Sequence, residues 1–184
     1  ALEYGISPDT PYTCTGSIDV YGGLCHCFNG ESHGDETMKK AIAQSCNTYF
    51  VNIMQQVPQA QFLLMAQNMG FGHAFEIAPG ISSSEGNMPT LESLSIPRAL
   101  ANFSFGQGDL TATPLQITAM VNTVASGGKF TAPSLYEGFV DENLKYTSKA
   151  PEQKSTQVLS DRTVELLRDF MKESIETGTS KKGK

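Results

Sequence analysis

Apolar residues between positions 37 and 57 recur at steps of three and four, the spacing of one face of an amphipathic helix. Residues 45–48 interrupt this pattern with side chains that compete for backbone hydrogen bonds and therefore form helices poorly. The sequence thus predicts a helix with a local break at residues 45–48. The apolar positions are Met38, Ile42, Cys46, Phe50, Ile53, Met54 and Val57.

Proline and glycine mark the ends of the other predicted helices. Proline suits the first helical position, and glycine suits the left-handed residue that follows a helix. Between such residues, apolar side chains again recur at helical spacing. The predicted helices span residues 58–70, 96–102 and 114–128, and a final helix begins at a cap formed by Ser160 or Asp161 and ends at Gly178.

The remaining segments show no helical period. Residues 10–28 and 130–158 combine short apolar runs with turn residues, which is typical of short strands. Residues 29–35 and 71–95 are predicted to be loops. We therefore expect three parts in one chain: strands and loops over residues 1–35, a helical subdomain over 36–129, and an extended segment with the final helix over 130–184.

Length and charge exclude several classes of protein. The chain has 184 residues and a net charge of −6, and its only dense basic cluster is Lys181, Lys182 and Lys184. Binding to duplex nucleic acid is therefore not expected, because phosphates require clustered basic side chains. The sequence also lacks a run of about 18 apolar residues and lacks a signal peptide, so any membrane anchor or export signal is expected to lie outside this chain.

Ser45 and Asn47 are the first candidates for chemistry. A serine hydroxyl and an asparagine amide two positions apart, at a break in a helix, can both turn toward one cleft. Such a pair can relay a proton and hold a substrate amide. The alternative is a helix interruption or cap with no further role.

The surroundings of these residues contain four further motifs. They are AIAQSCNTYF at residues 41–50, MGFG at 69–72, SFGQGDLTATPLQ at 104–116 and VASGG at 124–128. In their order and spacing they resemble a known family, the transpeptidase domain of class B penicillin-binding proteins, in a Gram-positive type of member. The resemblance extends to both ends of the chain, through residues 12–14, 25–27, 33–34 and 176–180.

The resemblance implies a serine acyltransferase that cross-links peptidoglycan. In that family the serine of an S-x-x-K motif attacks a D-Ala-D-Ala stem peptide, and β-lactams acylate the same serine. Ser45 would correspond to the serine of an S-x-N motif that passes protons between the motif lysine and the leaving amine. Asn47 would correspond to the residue that hydrogen-bonds the substrate amide or the β-lactam side chain.

The resemblance also carries implications for partners, cofactors and cellular location. It implies stem peptides and β-lactams as partners, together with proteins of cell division or sporulation. It assigns no cofactor and no metal ligand. It places the domain on the outer face of the cell membrane, attached only through an anchor outside this chain.

Two catalytic motifs of the family are missing from this sequence. No S-x-x-K precedes Ser45, and no K-T-G follows Gly178. The string at residues 126–129 reads S-x-x-K, but its two glycines oppose the helix that a catalytic motif requires. We therefore expect an inactive fragment of an α+β transpeptidase domain that is mainly helical and has a few short peripheral strands.

Two alternatives stay open. The chain could keep the transpeptidase scaffold as a non-catalytic binding platform in a division or sporulation complex. It could also be a small zinc-binding domain built on Cys14, Cys25, Cys27 and His33. For these cysteines we expect a disulfide from Cys14 to Cys25 or Cys27, ahead of free thiols or a metal, and Cys46 is expected to be a small core residue.

Overall fold

Helices form the body of the computed structural model, which describes residues 1–183. Over this range there are seven α-helices, and α7 is the longest. Single 3-10 turns lie at Leu2–Tyr4, Phe28–Gly30 and Lys181–Gly183. The helices are α1 Met38–Gln44, α2 Asn47–Met54, α3 Gln59–Asn68, α4 Leu91–Leu94, α5 Pro97–Phe103, α6 Pro114–Ala125 and α7 Asp161–Glu176.

The strands are short and pair two by two. All the pairs are antiparallel: β1 with β4, β2 with β3, β5 with β6, β7 with β10 and β8 with β9. The expected fold class, α+β and mainly helical with short peripheral strands, is confirmed. The strands are β1 Tyr12–Cys14, β2 Ser17–Val20, β3 Gly23–His26, β4 Gly34–Glu36, β5 Glu76–Ala78, β6 Ile81–Ser82, β7 Lys129–Thr131, β8 Gly138–Val140, β9 Tyr146–Lys149 and β10 Ser155–Gln157.

The local signals in the sequence placed most helix ends correctly. The break predicted at residues 45–48 is present but shorter, since only residues 45 and 46 separate α1 from α2, and α5 and α6 begin at Pro97 and Pro114. The Ser160 hydroxyl caps α7 by accepting a hydrogen bond from the Thr163 amide. The division of the chain at residues 35 and 129 stays a prediction.

Two segments predicted to be loops contain regular structure. Residues 29–35 include the start of β4, and residues 71–95 include β5, β6 and α4. The strand β4 pairs with β1 through Tyr12 opposite Glu36, a contact between residues far apart in sequence. Elements of two to four residues are too short to show a period, so the sequence pattern did not reveal them.

The main core lies between α1, α2 and α7. Tyr49 and Ile53 of α2 are fully buried, and Phe170 of α7 packs into the same cluster. On the outside of this contact, the Lys39 ammonium of α1 lies 3.0 Å from the Asp169 carboxylate and 3.3 Å from the Glu173 carboxylate of α7. The long final helix therefore closes the core over the segment that carries the helix break.

Gln116 connects the second half of the helical body to its loops. Its side chain is fully buried at the start of α6. Its amide nitrogen, with two N–H donors, lies 3.3, 3.1 and 2.9 Å from the carbonyl oxygens of Gly70, His73 and Glu85, and its oxygen accepts from the Thr113 amide at 2.8 Å. One side chain thus satisfies backbone groups that would otherwise be buried without partners.

Over residues 1–183, none of the helices combines the length and the apolar character needed to cross a bilayer.

Candidate active site around the Ser45 turn

Ser45 lies in a strained turn between α1 and α2. Its backbone has φ 57° and ψ 46°, the left-handed conformation that residues other than glycine rarely adopt. The Cys46 amide donates to the Ala41 carbonyl at 2.9 Å, which ends α1 at this point. The side chain of Ser45 is exposed. A strained, exposed serine held by surrounding structure is typical of functional sites.

Thr179 is the partner of Ser45, and it comes from the other end of the chain. The two hydroxyl oxygens lie 3.0 Å apart, and the Thr179 amide donates to the Ala43 carbonyl at 2.9 Å. Gly178 allows this approach, because a Cβ atom there would overlap the backbone of Ala43. No motif in the sequence singled out Thr179. The only signal was its place in the stretch 176–180, which resembles the residues before the K-T-G strand.

Asn47 begins α2 and binds a different partner. Its side-chain amide donates to the His26 carbonyl at 3.1 Å, which attaches the start of α2 to the end of β3. The residue is half-buried. The turn therefore brings Ser45 and Asn47 onto one short segment, while their side chains contact Thr179 and His26 respectively.

The other serine candidate has no comparable geometry. Ser126 lies at the end of α6, and its hydroxyl donates to the Lys129 carbonyl at 2.8 Å. Gly127 and Gly128 both have positive φ, so this S-x-x-K string forms a turn and not a helix. This agrees with the prediction that residues 126–129 are not a nucleophile motif.

Directly beneath the Ser45 turn lie three of the four cysteines. The Sγ atoms of Cys14 and Cys27 are 3.7 Å apart, and those of Cys27 and Cys46 are 3.9 Å apart. All four cysteines are free thiols and are buried. The expected disulfide from Cys14 to Cys25 or Cys27 is therefore wrong for this structure, since a disulfide holds its sulfur atoms about 2.05 Å apart.

Cys25 is separated from this group because the chain leaves the strand after it. β3 ends at His26, and Cys25 packs against Val20, Val51 and Ala101 in a second apolar cluster. Cys27 turns instead into the main core. The alternation of a continued strand, which would place both cysteines on one face, does not apply beyond His26.

The imidazole of His33 and the hydroxyl of Thr48 complete the surroundings of these sulfur atoms. His33 Nδ1 lies 3.4 Å from Cys14 Sγ, and the Thr48 hydroxyl donates to the same sulfur at 3.1 Å. Burial raises the pKa of the Cys14 thiol, but hydrogen bonds from Thr48, His33 and the Gly16 amide outweigh burial and lower the pKa to about 6. Burial raises the pKa of the Cys46 thiol to about 12.

The group that could hold a metal consists of Cys14, Cys27, His33 and Cys46. One ligand atom from each of these residues lies within 4.8 Å of the other three. The zinc alternative suggested by the sequence has Cys25 in place of Cys46. That ligand set is wrong, because Cys25 points into the other cluster and Cys46 lies under the Ser45 turn.

A family model described as penicillin-binding protein transpeptidase domain matches residues 1–184. The chain is 27% identical over 168 residues to stage V sporulation protein D of Bacillus subtilis, covering 90% of this chain and 25% of that protein. It is also 27% identical over 180 residues to the peptidoglycan D,D-transpeptidase PbpA of Mycolicibacterium smegmatis, covering 93% of this chain and 35% of that protein. The chain therefore spans between a quarter and about a third of the length of these relatives.

The fold agrees with a solved structure. The D,D-transpeptidase domain of a peptidoglycan glycosyltransferase from Eggerthella lenta superposes with a TM-score of 0.86 at 23% sequence identity. The match covers 97% of this chain and 46% of the other. The helices and short strands described above are thus part of the transpeptidase architecture.

Proposed function

The chain belongs to the penicillin-binding protein transpeptidase domain family, and we propose that it is the S-x-N-bearing part of a serine D,D-transpeptidase that cross-links peptidoglycan stem peptides. The observation that carries this proposal is the coincidence of the family match over residues 1–184 with an exposed, strained Ser45 in the turn between α1 and α2. The attacking serine and the K-T-G motif would come from residues outside this chain. The chain alone would then be inactive.

In this proposal Ser45 relays protons and Asn47 binds substrate. A serine hydroxyl both donates and accepts hydrogen bonds, so Ser45 can pass a proton between a lysine and a leaving amine. Thr179 lies within hydrogen-bond distance of Ser45 and can hold its hydroxyl in one rotamer. The Asn47 amide has a carbonyl oxygen that can accept a hydrogen bond from a substrate amide while its nitrogen donates to His26.

The proposed partners and location follow from the same family. We place stem peptides and β-lactams at the Ser45 turn, and we place the domain on the outer face of the membrane with an anchor outside this chain. Proteins of cell division or sporulation are proposed as further partners. The chain is similar to a protein named stage V sporulation protein D, and this supports sporulation proteins as partners.

Intact-mass measurement after incubation with benzylpenicillin tests the proposal. The measurement compares this chain with a version extended on both sides by the residues that its gene encodes. We expect a stoichiometric adduct on the extended version only. An adduct on this chain would contradict the proposal, and no adduct on either would favour the non-catalytic platform.

Substitutions in the extended version test the two site residues. We expect Ser45→Ala to slow acylation by about 100-fold, the usual contribution of a proton-transfer group. We expect Asn47→Ala to slow it by about 10-fold, the effect of one lost hydrogen bond to the substrate. Ser126→Ala is the control, because Ser126 only caps the end of α6. If Ser45→Ala is acylated as fast as the extended version without the substitution, the proposed proton relay by Ser45 is contradicted.

A further inference from the structure

We propose that Cys14, Cys27, His33 and Cys46 form a tetrahedral zinc site directly beneath the Ser45 turn. The site takes one ligand from each of four separate segments of the chain. Cys14 ends β1, Cys27 follows β3, His33 precedes β4, and Cys46 caps the start of α2.

The distances between the ligand atoms fit a tetrahedron around one ion. With bonds of about 2.3 Å to sulfur and about 2.0 Å to nitrogen, tetrahedral ligands stand about 3.8 Å apart for two sulfur atoms and about 3.5 Å for sulfur and nitrogen. The observed separations are 3.7 Å for Cys14 and Cys27 and 3.9 Å for Cys27 and Cys46. Cys14 Sγ and His33 Nδ1 are 3.4 Å apart. These three of the six edges match the lengths that zinc requires, and the other three pairs of ligand atoms lie within 4.8 Å of each other.

The chemistry of the donors favours zinc among the common metals. Three thiolates and one imidazole are soft and borderline ligands, and this set is one of the usual structural zinc sites. Calcium and magnesium prefer oxygen ligands. With four protein ligands the coordination shell would be closed, so we assign the ion a structural role and not a catalytic one.

The surroundings suit a charged metal–thiolate group. Cys14 and Cys46 are fully buried and Cys27 is 3% exposed, so the three sulfur ligands are shielded from water, while His33 is half-buried at the edge of the site. The buried Thr48 hydroxyl donates to Cys14 Sγ, and the Gly16 amide donates to the same sulfur at 3.4 Å. Such donors stabilise the thiolate form that binds metal.

The position of Cys46 gives the site a consequence for the neighbouring motif. Cys46 stands between Ser45 and Asn47, so a bond from its sulfur to an ion would fix the turn that carries both residues. The same ion would hold the segment of residues 14–33 against the start of α2. We infer that the metal stiffens the S-x-N turn, independently of which reaction the turn serves.

Metal content of the chain, purified without chelator and loaded with zinc, is the first test. We expect about one zinc ion per chain by elemental mass spectrometry, and cobalt in its place should give the intense thiolate-to-cobalt absorption of a tetrahedral sulfur site. A chain that takes up no zinc after loading would overturn the proposal. A measured mass that is lower than the mass of the fully reduced chain by two hydrogen atoms, under the same conditions, would show a disulfide in place of the zinc site.

The cysteines provide a matched pair of variants. Cys27→Ser is expected to lose the zinc and the cobalt absorption, whereas Cys25→Ser, which changes an equally buried cysteine outside the cluster, is expected to keep both. Retention of zinc and of the cobalt absorption by Cys27→Ser would contradict the assignment, because the proposed tetrahedral site needs the Cys27 sulfur.

The unmodified chain supplies a readout that needs no variant. Removing zinc with a strong chelator is expected to lower Tm by about 10 °C, and added zinc should restore it, because an ion that binds only the folded state stabilises that state. Amide exchange at residues 45–47 should rise in the chelated chain more than in α6. Unchanged Tm and unchanged exchange on chelation would contradict a structural metal.

Discussion

Two turns of this chain share a positive φ at a residue other than glycine, but different contacts surround them. Ser45 lies at φ 57° above the cluster of Cys14, Cys27, His33 and Cys46, which we call the sulfur cluster. Leu144 lies at φ 61° at the tip of the β8–β9 hairpin, where its side chain is 81% exposed. The strain is similar, but the structures that hold it differ.

A long-range contact adds to the local hydrogen bonds that hold the Ser45 turn, whereas the contacts at the hairpin tip are local. Ser45 pairs with Thr179, 134 residues further along the chain. At the hairpin, the Asp141 carboxylate accepts hydrogen bonds from the amides of Asn143 and Lys145 at 2.9 and 3.0 Å. A strained serine that needs distant parts of the fold to hold it is a costly feature, and function is the usual reason for keeping one. A strained leucine in an exposed turn carries no such implication.

Removal of an aromatic ring is expected to give the largest difference in stability between the two regions. Tyr49 is fully buried beside the sulfur cluster and donates to the Thr10 carbonyl at 3.1 Å, whereas Phe139 in β8 is 60% exposed. We expect Tyr49→Ala to reduce the free energy of unfolding by about 4 kcal/mol and Phe139→Ala by less than about 1 kcal/mol. Urea denaturation of both variants checks this. Similar losses would mean that the hairpin is also covered in solution.

A smaller effect is expected where the end of the chain meets the Ser45 turn. Gly178→Ala would place a methyl group against the backbone of Ala43, so we expect a loss of about 2 kcal/mol as the segment at Thr179 moves away. Gly183→Ala is the control, because its Cβ would meet open space. The change is measured by urea denaturation together with amide exchange at Thr179. Equal stability of the two variants would show that this approach is not maintained in solution.

The smallest effect comes from relieving the backbone strain itself. Leu144→Gly is expected to raise the free energy of unfolding by about 0.5 kcal/mol, because glycine adopts positive φ without cost. Ser45→Gly removes the same backbone strain but also removes the hydroxyl contact with Thr179. Its net change in the free energy of unfolding should therefore be close to zero. Thermal unfolding of the pair distinguishes the two cases. A gain in Ser45→Gly as large as the gain in Leu144→Gly would mean that the hydroxyl contact with Thr179 contributes nothing to stability.

Local sequence signals determined most of the helices of this protein. These signals influence only the backbone within a few residues. They are the spacing of apolar residues, the weak helix formers at residues 45–48 and the prolines at positions 97 and 114. The physical causes are backbone hydrogen bonding, side-chain crowding and the fixed φ of proline. For that reason most of the helices, many of their ends and the position of the Ser45 turn could be predicted from the amino-acid sequence alone.

Only the tertiary structure decided which distant residues meet at that turn. Thr179 reaches Ser45 because α7 packs on α1 and Gly178 has no side chain. Cys27 joins Cys14 because β3 ends at His26 and the chain then turns into the core. Spacing in sequence grouped Cys25 with Cys27, yet the two sulfur atoms belong to different clusters. Sequence spacing limits how far apart two residues can be, but the packing of helices against each other determines which of them come into contact.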